Sequence, residues 1–98
     1  MKKHNDVTIS FSKRHHFGCV YREYQPEDIE VLKRVGKRIR FLREEKGMSQ
    51  HDLSIEADIP KTQVGRVERA ENNTSLVTLN RMAKALEVPL HALFLQED

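Results

Sequence analysis

The sequence of 98 residues lacks several features that mark large classes of proteins. It has one cysteine, Cys19, so no internal disulfide can form, which agrees with a reducing compartment. No apolar run approaches the roughly 20 residues that span a bilayer. The lysines near the start are not followed by the apolar stretch of a secretory signal. We therefore expect a cytoplasmic protein with no membrane partner.

Signatures of catalysis and of metal binding are also scarce. No glycine-rich phosphate loop is present, and no nucleophile is accompanied by a recognisable general base and orienting group. His15, His16 and Cys19 stand close together, but structural zinc sites normally offer two ligand pairs, and no second pair completes this one. We expect a polar turn at these residues, with no metal, no cofactor and no enzymatic activity.

The length predicts one domain, and 38% hydrophobic with 33% charged residues is typical of a helix-rich globular protein. The net charge of +2 is unevenly distributed. Residues 1–46 hold twelve Lys or Arg and seven Asp or Glu, a balance of +5, whereas residues 47–98 hold five and eight, a balance of −3. A nucleic-acid interface would therefore depend on local basic clusters.

Residues 1–25 form an N-terminal extension with a strand-like pattern, because Val7, Ile9 and Phe11 alternate with polar residues. Residues 13–18 resemble a turn, and residues 19–24 could supply the second strand of a short β-hairpin. An isolated hairpin is marginally stable, so several alternatives stay open. The extension could pack on a partner subunit, contact DNA through Lys13 and Arg14, or be disordered.

From Pro26 the apolar residues recur every three or four positions, which predicts a helical domain over residues 26–98. Pro26 suits the first turn of a helix that should run to Lys46, with Gly47 as its left-handed cap. Ser49 is a suitable N-cap for a second helix, with Asp52 in an approximate capping box.

Three more helices follow in this pattern. Pro60 ends the turn after the second helix and starts a third. Ser75 caps a fourth helix, and a brief fifth begins near Pro89. Inward-facing positions across the helices predict a core of Leu53, Ala57, Ile59, Val64, Val67, Leu79, Met82 and Leu86.

Residues 35–94 resemble the Cro/CI (Xre) family of helix-turn-helix regulators. The resemblance rests on Gly36-Lys37-Arg38-Ile39-Arg40-x-x-Arg43, Met48-Ser49-Gln50-x-x-Leu53, Val64-x-x-Val67-Glu68-Arg69 and the run from Ser75-Leu76 to Leu93-Phe94. It implies an all-α, five-helix, lambda-repressor-like domain that binds double-stranded DNA and regulates transcription, with a recognition helix from about Lys61 to Arg69.

A recognition helix presents polar or cationic side chains to base edges and buries its other face. The resemblance makes Lys61, Thr62 and Arg66 base-reading residues, and Gln63 lies near enough to take part. Residues that the resemblance and their position assign to DNA phosphates are Gln50, Arg69, Asn72, Asn73 and Arg38. A merely solvated face is an equal alternative for Arg38.

The same resemblance makes Arg43 and Glu68 a partly buried, structural ion pair. Three positions depart from the family pattern: Asp58 replaces a turn glycine, Pro60 replaces a Ser or Thr cap, and Ala70 replaces a loop glycine. These departures affect local geometry only.

Leu90, Leu93 and Phe94 offer more apolar surface than a short helix usually shows, so we expect a homodimer that uses them and reads a palindromic operator. The alternative is an antitoxin-like interaction module that neutralises a partner protein such as a toxin, since a fold does not settle function.

Overall fold

A computed structural model describes residues 24–95. Its four α-helices are α1 (Pro26–Glu45), α2 (Gln50–Ala57), α3 (Lys61–Glu68) and α4 (Leu76–Ala85), followed by a 3-10 helix at Leu90–Phe94. The all-α class and five helical segments are confirmed, although the fifth segment is 3-10 and not α-helical. The predicted hairpin and the His15, His16 and Cys19 cluster lie outside the described residues. No helix within residues 24–95 is long and apolar enough to cross a membrane.

Local capping determines where the helices begin. Before α1, the Gln25 amide donates to the Asp28 carboxylate over 2.9 Å. Before α2, Ser49 Oγ accepts from the Asp52 amide and the Ser49 amide donates to Asp52 Oδ2, both over 2.9 Å. These reciprocal bonds satisfy amides that a helix start leaves unpaired. The capping box predicted for Ser49 is confirmed.

Left-handed residues end the helices. Gly47, with φ of 70°, follows α1, which stops at Glu45, one residue before the predicted end. Asp58, Ala70 and Glu87 have φ of 60°, 58° and 61° after α2, α3 and α4. After each of them the chain turns back, as in the 3.0 Å bond from the Ile59 amide to the Ser54 carbonyl. This is the Schellman type of ending, which favours glycine because a Cβ is strained there.

One hydrophobic core joins all five segments. Every predicted core residue lies in it, and Val35, Ile39, Ala83 and Leu93 complete it. α3 packs on α1 and α2, α4 packs on α2, and the 3-10 helix packs on α1 and α4. α3, the predicted recognition helix, is therefore held by two other helices.

Leu93 is fully buried in this core, so its predicted place in a dimer surface is wrong. The reason is the geometry of the 3-10 helix, in which side chains three residues apart lie on the same side. Leu90 is also partly buried against the core, in line with that spacing. Phe94 points elsewhere and is 42% exposed, so of the three predicted residues it is the one most available to a partner.

Gly36 allows α1 and α3 to approach closely. A Cβ atom at this position would stand 2.6 Å from the carbonyl oxygen of Val67 and 2.8 Å from that of Glu68. Real Cβ atoms do not come so near to backbone, so α3 can occupy its place on α1 only because residue 36 has no side chain.

Candidate nucleic-acid interface

A three-residue turn positions α3 against α2. Asp58 is left-handed, Ile59 is buried, and Pro60 takes an extended conformation with φ of −64° and ψ of 145°. Pro60 is the N-cap, and its carbonyl accepts from the Gln63 amide over 3.0 Å. The turn therefore tolerates aspartate where the family pattern has glycine, and α3 begins without a side-chain cap.

The two faces of α3 differ sharply. Val64 and Val67 are buried in the core, whereas Lys61, Thr62 and Arg66 are exposed and Gln63 is half-buried. Within the described residues no ion pair engages Lys61 or Arg66. The structure thus brings the four predicted base-reading residues together on one short helix, with their cations available to a ligand.

Arg69 is the C-cap residue of α3, and its side chain is exposed about one turn beyond Arg66. Its guanidinium binds the Glu71 carboxylate through two contacts, Nε to Oε2 over 2.7 Å and Nη2 to Oε1 over 3.2 Å. The hydrogen bond from Arg69 lowers the pKa of Glu71, and the same bond raises the pKa of Arg69. To bind a phosphate through the same Nε and Nη2 edge, Arg69 would have to exchange this partner.

Arg43 and Glu68 are in direct contact beneath this surface. Arg43 Nε donates to Glu68 Oε2 over 2.7 Å, and Nη2 donates to Oε1 over 3.0 Å. The remaining nitrogen, Nη1, donates to the Met48 carbonyl over 2.8 Å. Only 10% of the Arg43 side chain and 3% of the Glu68 side chain are exposed, and the hydrogen bond to Glu68 raises the pKa of Arg43. This fork ties α3 to α1 and to the start of α2.

Gln50 joins the same network, which sequence reasoning missed. Its Nε2 donates to Glu68 Oε1 over 3.0 Å, so one carboxylate holds both Arg43 and Gln50. Gln50 is the first residue of α2, where the amides of a helix start favour anions. Glutamine and glutamate are 18 positions apart in the chain, and no local pattern signals that they meet.

The other predicted phosphate-binding residues lie in different surroundings. Arg38 Nε donates to the Ala92 carbonyl over 2.9 Å, and its guanidinium lies 5.5 Å from the centre of the Phe41 ring. This contact ties α1 to the 3-10 helix and favours a structural role, while a phosphate contact stays a prediction. Asn72 and Asn73 line a cavity together with Val31 and Leu32 of α1.

The family model for helix-turn-helix proteins matches residues 39–93, which is more than half of the chain. Two curated relatives are each 32% identical. One is the transcriptional regulator SinR of Bacillus licheniformis, over 65% of this chain and 59% of its own length. The other is the control protein C.MunI of a Mycoplasma species, over 68% of this chain and 89% of its own.

Two solved structures of restriction-modification controller proteins share the fold. C.AhdI from Aeromonas hydrophila is 40% identical with a TM-score of 0.63, over 64% of this chain and 96% of that protein. C.Esp1396I, solved as a tetramer with its natural 35-base-pair operator, is 33% identical with a TM-score of 0.61, over 65% of this chain and 84% of that protein. With the family match and the exposed polar face of α3, this chain belongs to the Cro/CI type of helix-turn-helix DNA-binding transcription regulators.

Proposed function

We propose that this protein regulates transcription by binding a specific operator with α3 in the major groove. The observation that carries the proposal is the outward face of α3, where Lys61, Thr62, Gln63 and Arg66 are grouped and the two cations have no ion-pair partner within the described residues. Lysine and arginine suit the acceptors of guanine, and the threonine methyl suits that of thymine.

Contacts to DNA phosphates would orient α3 in the groove. Gln50 is well suited, because its amide has two N–H groups and the bond to Glu68 uses one. The other can reach a phosphate at the start of α2, where the helix dipole favours an anion. Arg69, Asn72 and Asn73 are assigned the same role from their place after α3.

A homodimer would present two copies of α3 to a palindromic operator, roughly 34 Å apart. Phe94, Leu95 and Phe41 are 42%, 48% and 42% exposed. Arg38 contacts both Ala92 of the 3-10 helix and the Phe41 ring, so Phe41 lies near this helix. Aromatic residues are enriched in protein interfaces, and we assign the dimer surface to these three residues in place of the buried Leu93.

The antitoxin-like alternative has less support. The relatives described above are a transcription regulator and controller proteins, and the exposed cations of α3 fit DNA directly. Binding to DNA also agrees with the cytoplasmic location expected from the sequence.

The experiment that tests the proposal is fluorescence anisotropy with the DNA upstream of the protein's own gene and with a scrambled duplex at two salt concentrations. Specific binding should exceed scrambled binding by roughly a thousandfold and weaken with salt. Arg66→Ala should cost about 1–3 kcal/mol of binding free energy. Arg81→Ala, which removes an exposed charge on α4, is the matched control. Equal, weak binding of both duplexes and no effect of Arg66→Ala would overturn the proposal.

A further inference from the structure

One oxygen of Glu68 serves partners from two other helices. Oε1 accepts from Arg43 Nη2 and from Gln50 Nε2, each over 3.0 Å, while Oε2 accepts from Arg43 Nε over 2.7 Å. Only 3% of the Glu68 side chain is exposed, so water competes little for these bonds. The carboxylate at the end of α3 therefore holds a side chain at the start of α2 as well as the arginine of α1.

The ion pair alone does not account for the bond to Gln50. Every nitrogen of the Arg43 guanidinium already has a partner, two of them on Glu68 and one on the Met48 carbonyl. Gln50 is only half-buried, so its amide could bond to water instead. The contact therefore constrains Gln50 more than it supports the ion pair.

The chemistry of Glu68 decides which end of the Gln50 amide faces it. An ionised carboxylate only accepts hydrogen bonds, so Gln50 turns its NH2 group toward Glu68 and not its amide oxygen. An unrestrained glutamine on a helix surface samples several rotamers and both orientations of its amide. The bond to Glu68 selects one arrangement from these.

Two donors of Gln50 stay available beside this bond. Glu68 uses one N–H of Nε2 and leaves the second. The backbone N–H of Gln50, the first residue of α2, has no partner within residues 24–95. Both lie where the helix dipole favours an anion. A side chain that is already ordered loses no rotamer freedom when a phosphate binds, which strengthens binding.

We propose that Glu68 is a positioning residue for DNA binding, which orders Gln50 for its phosphate contact before the operator arrives. The inference rests on the proposed function, since it requires the start of α2 and the exposed face of α3 to meet one duplex. Glu68 is the last residue of α3 and follows closely after the predicted base-reading residue Arg66. One carboxylate thus fixes the phosphate contact relative to the base-reading helix.

The ordering of Gln50 can be measured without DNA and without any substitution. Gln63 is the matched control, because it is also half-buried and its side chain has no hydrogen bond within the described residues. Relaxation of the ¹⁵N-labelled side-chain amides should give a higher order parameter for Gln50 than for Gln63. Equal order in the two side chains would overturn the proposal.

A pair of double variants separates the hydrogen-bond acceptor from the ion pair. Arg43→Met/Glu68→Gln and Arg43→Met/Glu68→Met both remove the two buried charges, which apolar or neutral side chains of similar volume often replace without loss of the fold. They differ at one point, since glutamine offers an amide oxygen to Gln50 whereas the methionine sulfur is only a weak acceptor. Urea denaturation checks that both variants are folded.

Gln50→Ala is then introduced into the wild type and into both double variants, and operator affinity is measured by fluorescence anisotropy. It should weaken binding by about five- to tenfold in the wild type and beside Glu68→Gln, as for the loss of one hydrogen bond, but by less than about twofold beside Glu68→Met. An equal loss in both double variants would overturn the inference and leave the proposed function standing. No loss in a wild type that still prefers its operator would do the same. Equal binding of operator and scrambled duplex by the wild type would overturn both.

Discussion

Gly36 and Val67 approach so closely that a Cβ atom on residue 36 would stand 2.6 Å from the Val67 carbonyl oxygen. This contact sets the distance between α1 and the recognition helix α3. Gly36 therefore positions the helix whose exposed side chains are proposed to read DNA.

Gly36→Ala should destabilise the protein by about 1–3 kcal/mol, because the neighbouring backbone must move to admit the methyl group. Displacing α3 should also weaken operator binding. Gly65→Ala is the matched control: its Cβ would meet the far end of the exposed Arg69 side chain, 2.9 Å from Nη1, which can move aside. Alanine favours a helix by up to about 1 kcal/mol, so Gly65→Ala should leave stability equal or raised. Chemical denaturation measures the free energy of unfolding of both variants. Equal losses of stability in Gly36→Ala and Gly65→Ala would contradict the prediction.

Arg43→Ala should lower the free energy of unfolding by roughly 3–5 kcal/mol, because it leaves the Glu68 carboxylate buried without its cation. Arg40→Ala removes an arginine from the same helix that pairs with Glu44 in water, and it should cost less than about 1 kcal/mol. The comparison is made by urea denaturation of both variants. Similar losses of unfolding free energy in the two variants would mean that the buried Arg43–Glu68 pair stabilises the protein no more than the exposed Arg40–Glu44 pair does.

Glu71→Gln should strengthen DNA binding, because Glu71 now occupies the Arg69 guanidinium. Removing that competing carboxylate leaves Arg69 free to reach a phosphate. The dependence of log affinity on log salt should steepen by about one. Anisotropy titrations at several salt concentrations measure this slope. Glu56→Gln, an exposed carboxylate on α2 and outside this ion pair, controls for net charge, and an equal gain with it would refute the specific role of Arg69.

Stability should fall in acid through the capping box of α2. The hydrogen bond from the Ser49 amide holds the pKa of Asp52 below its ordinary value of 3.8, so the unfolded chain binds this proton more readily than the folded protein does. The stabilisation is therefore complete above the ordinary pKa and is lost as the pH falls through the lowered value. Asp52→Ala should lower Tm near neutral pH and lose that effect in strong acid. A difference in Tm that does not change with pH would contradict this account.

Local sequence determined much of the fold and of the candidate site. Caps such as Ser49 and the left-handed residue Gly47 act through neighbouring backbone atoms, so their effects can be predicted from a few consecutive residues. The exposed face of α3 can also be predicted from helical spacing. Val64 and Val67 are three positions apart and lie on one buried face, so the polar residues between and around them are left on the other face.

Only the tertiary structure decided which side chains meet across the chain. Leu93 is buried in the core because its segment is a 3-10 helix that packs on α1 and α4. Arg38 donates a hydrogen bond to the Ala92 carbonyl, 54 positions away in the chain. The hydrogen bond from Gln50 to Glu68 likewise joins the start of α2 to the end of α3. The sequence by itself determined where helices begin, where they end and which face is apolar, since these depend on local backbone chemistry. Contacts between distant residues depend on how the helices pack, which no local pattern specifies.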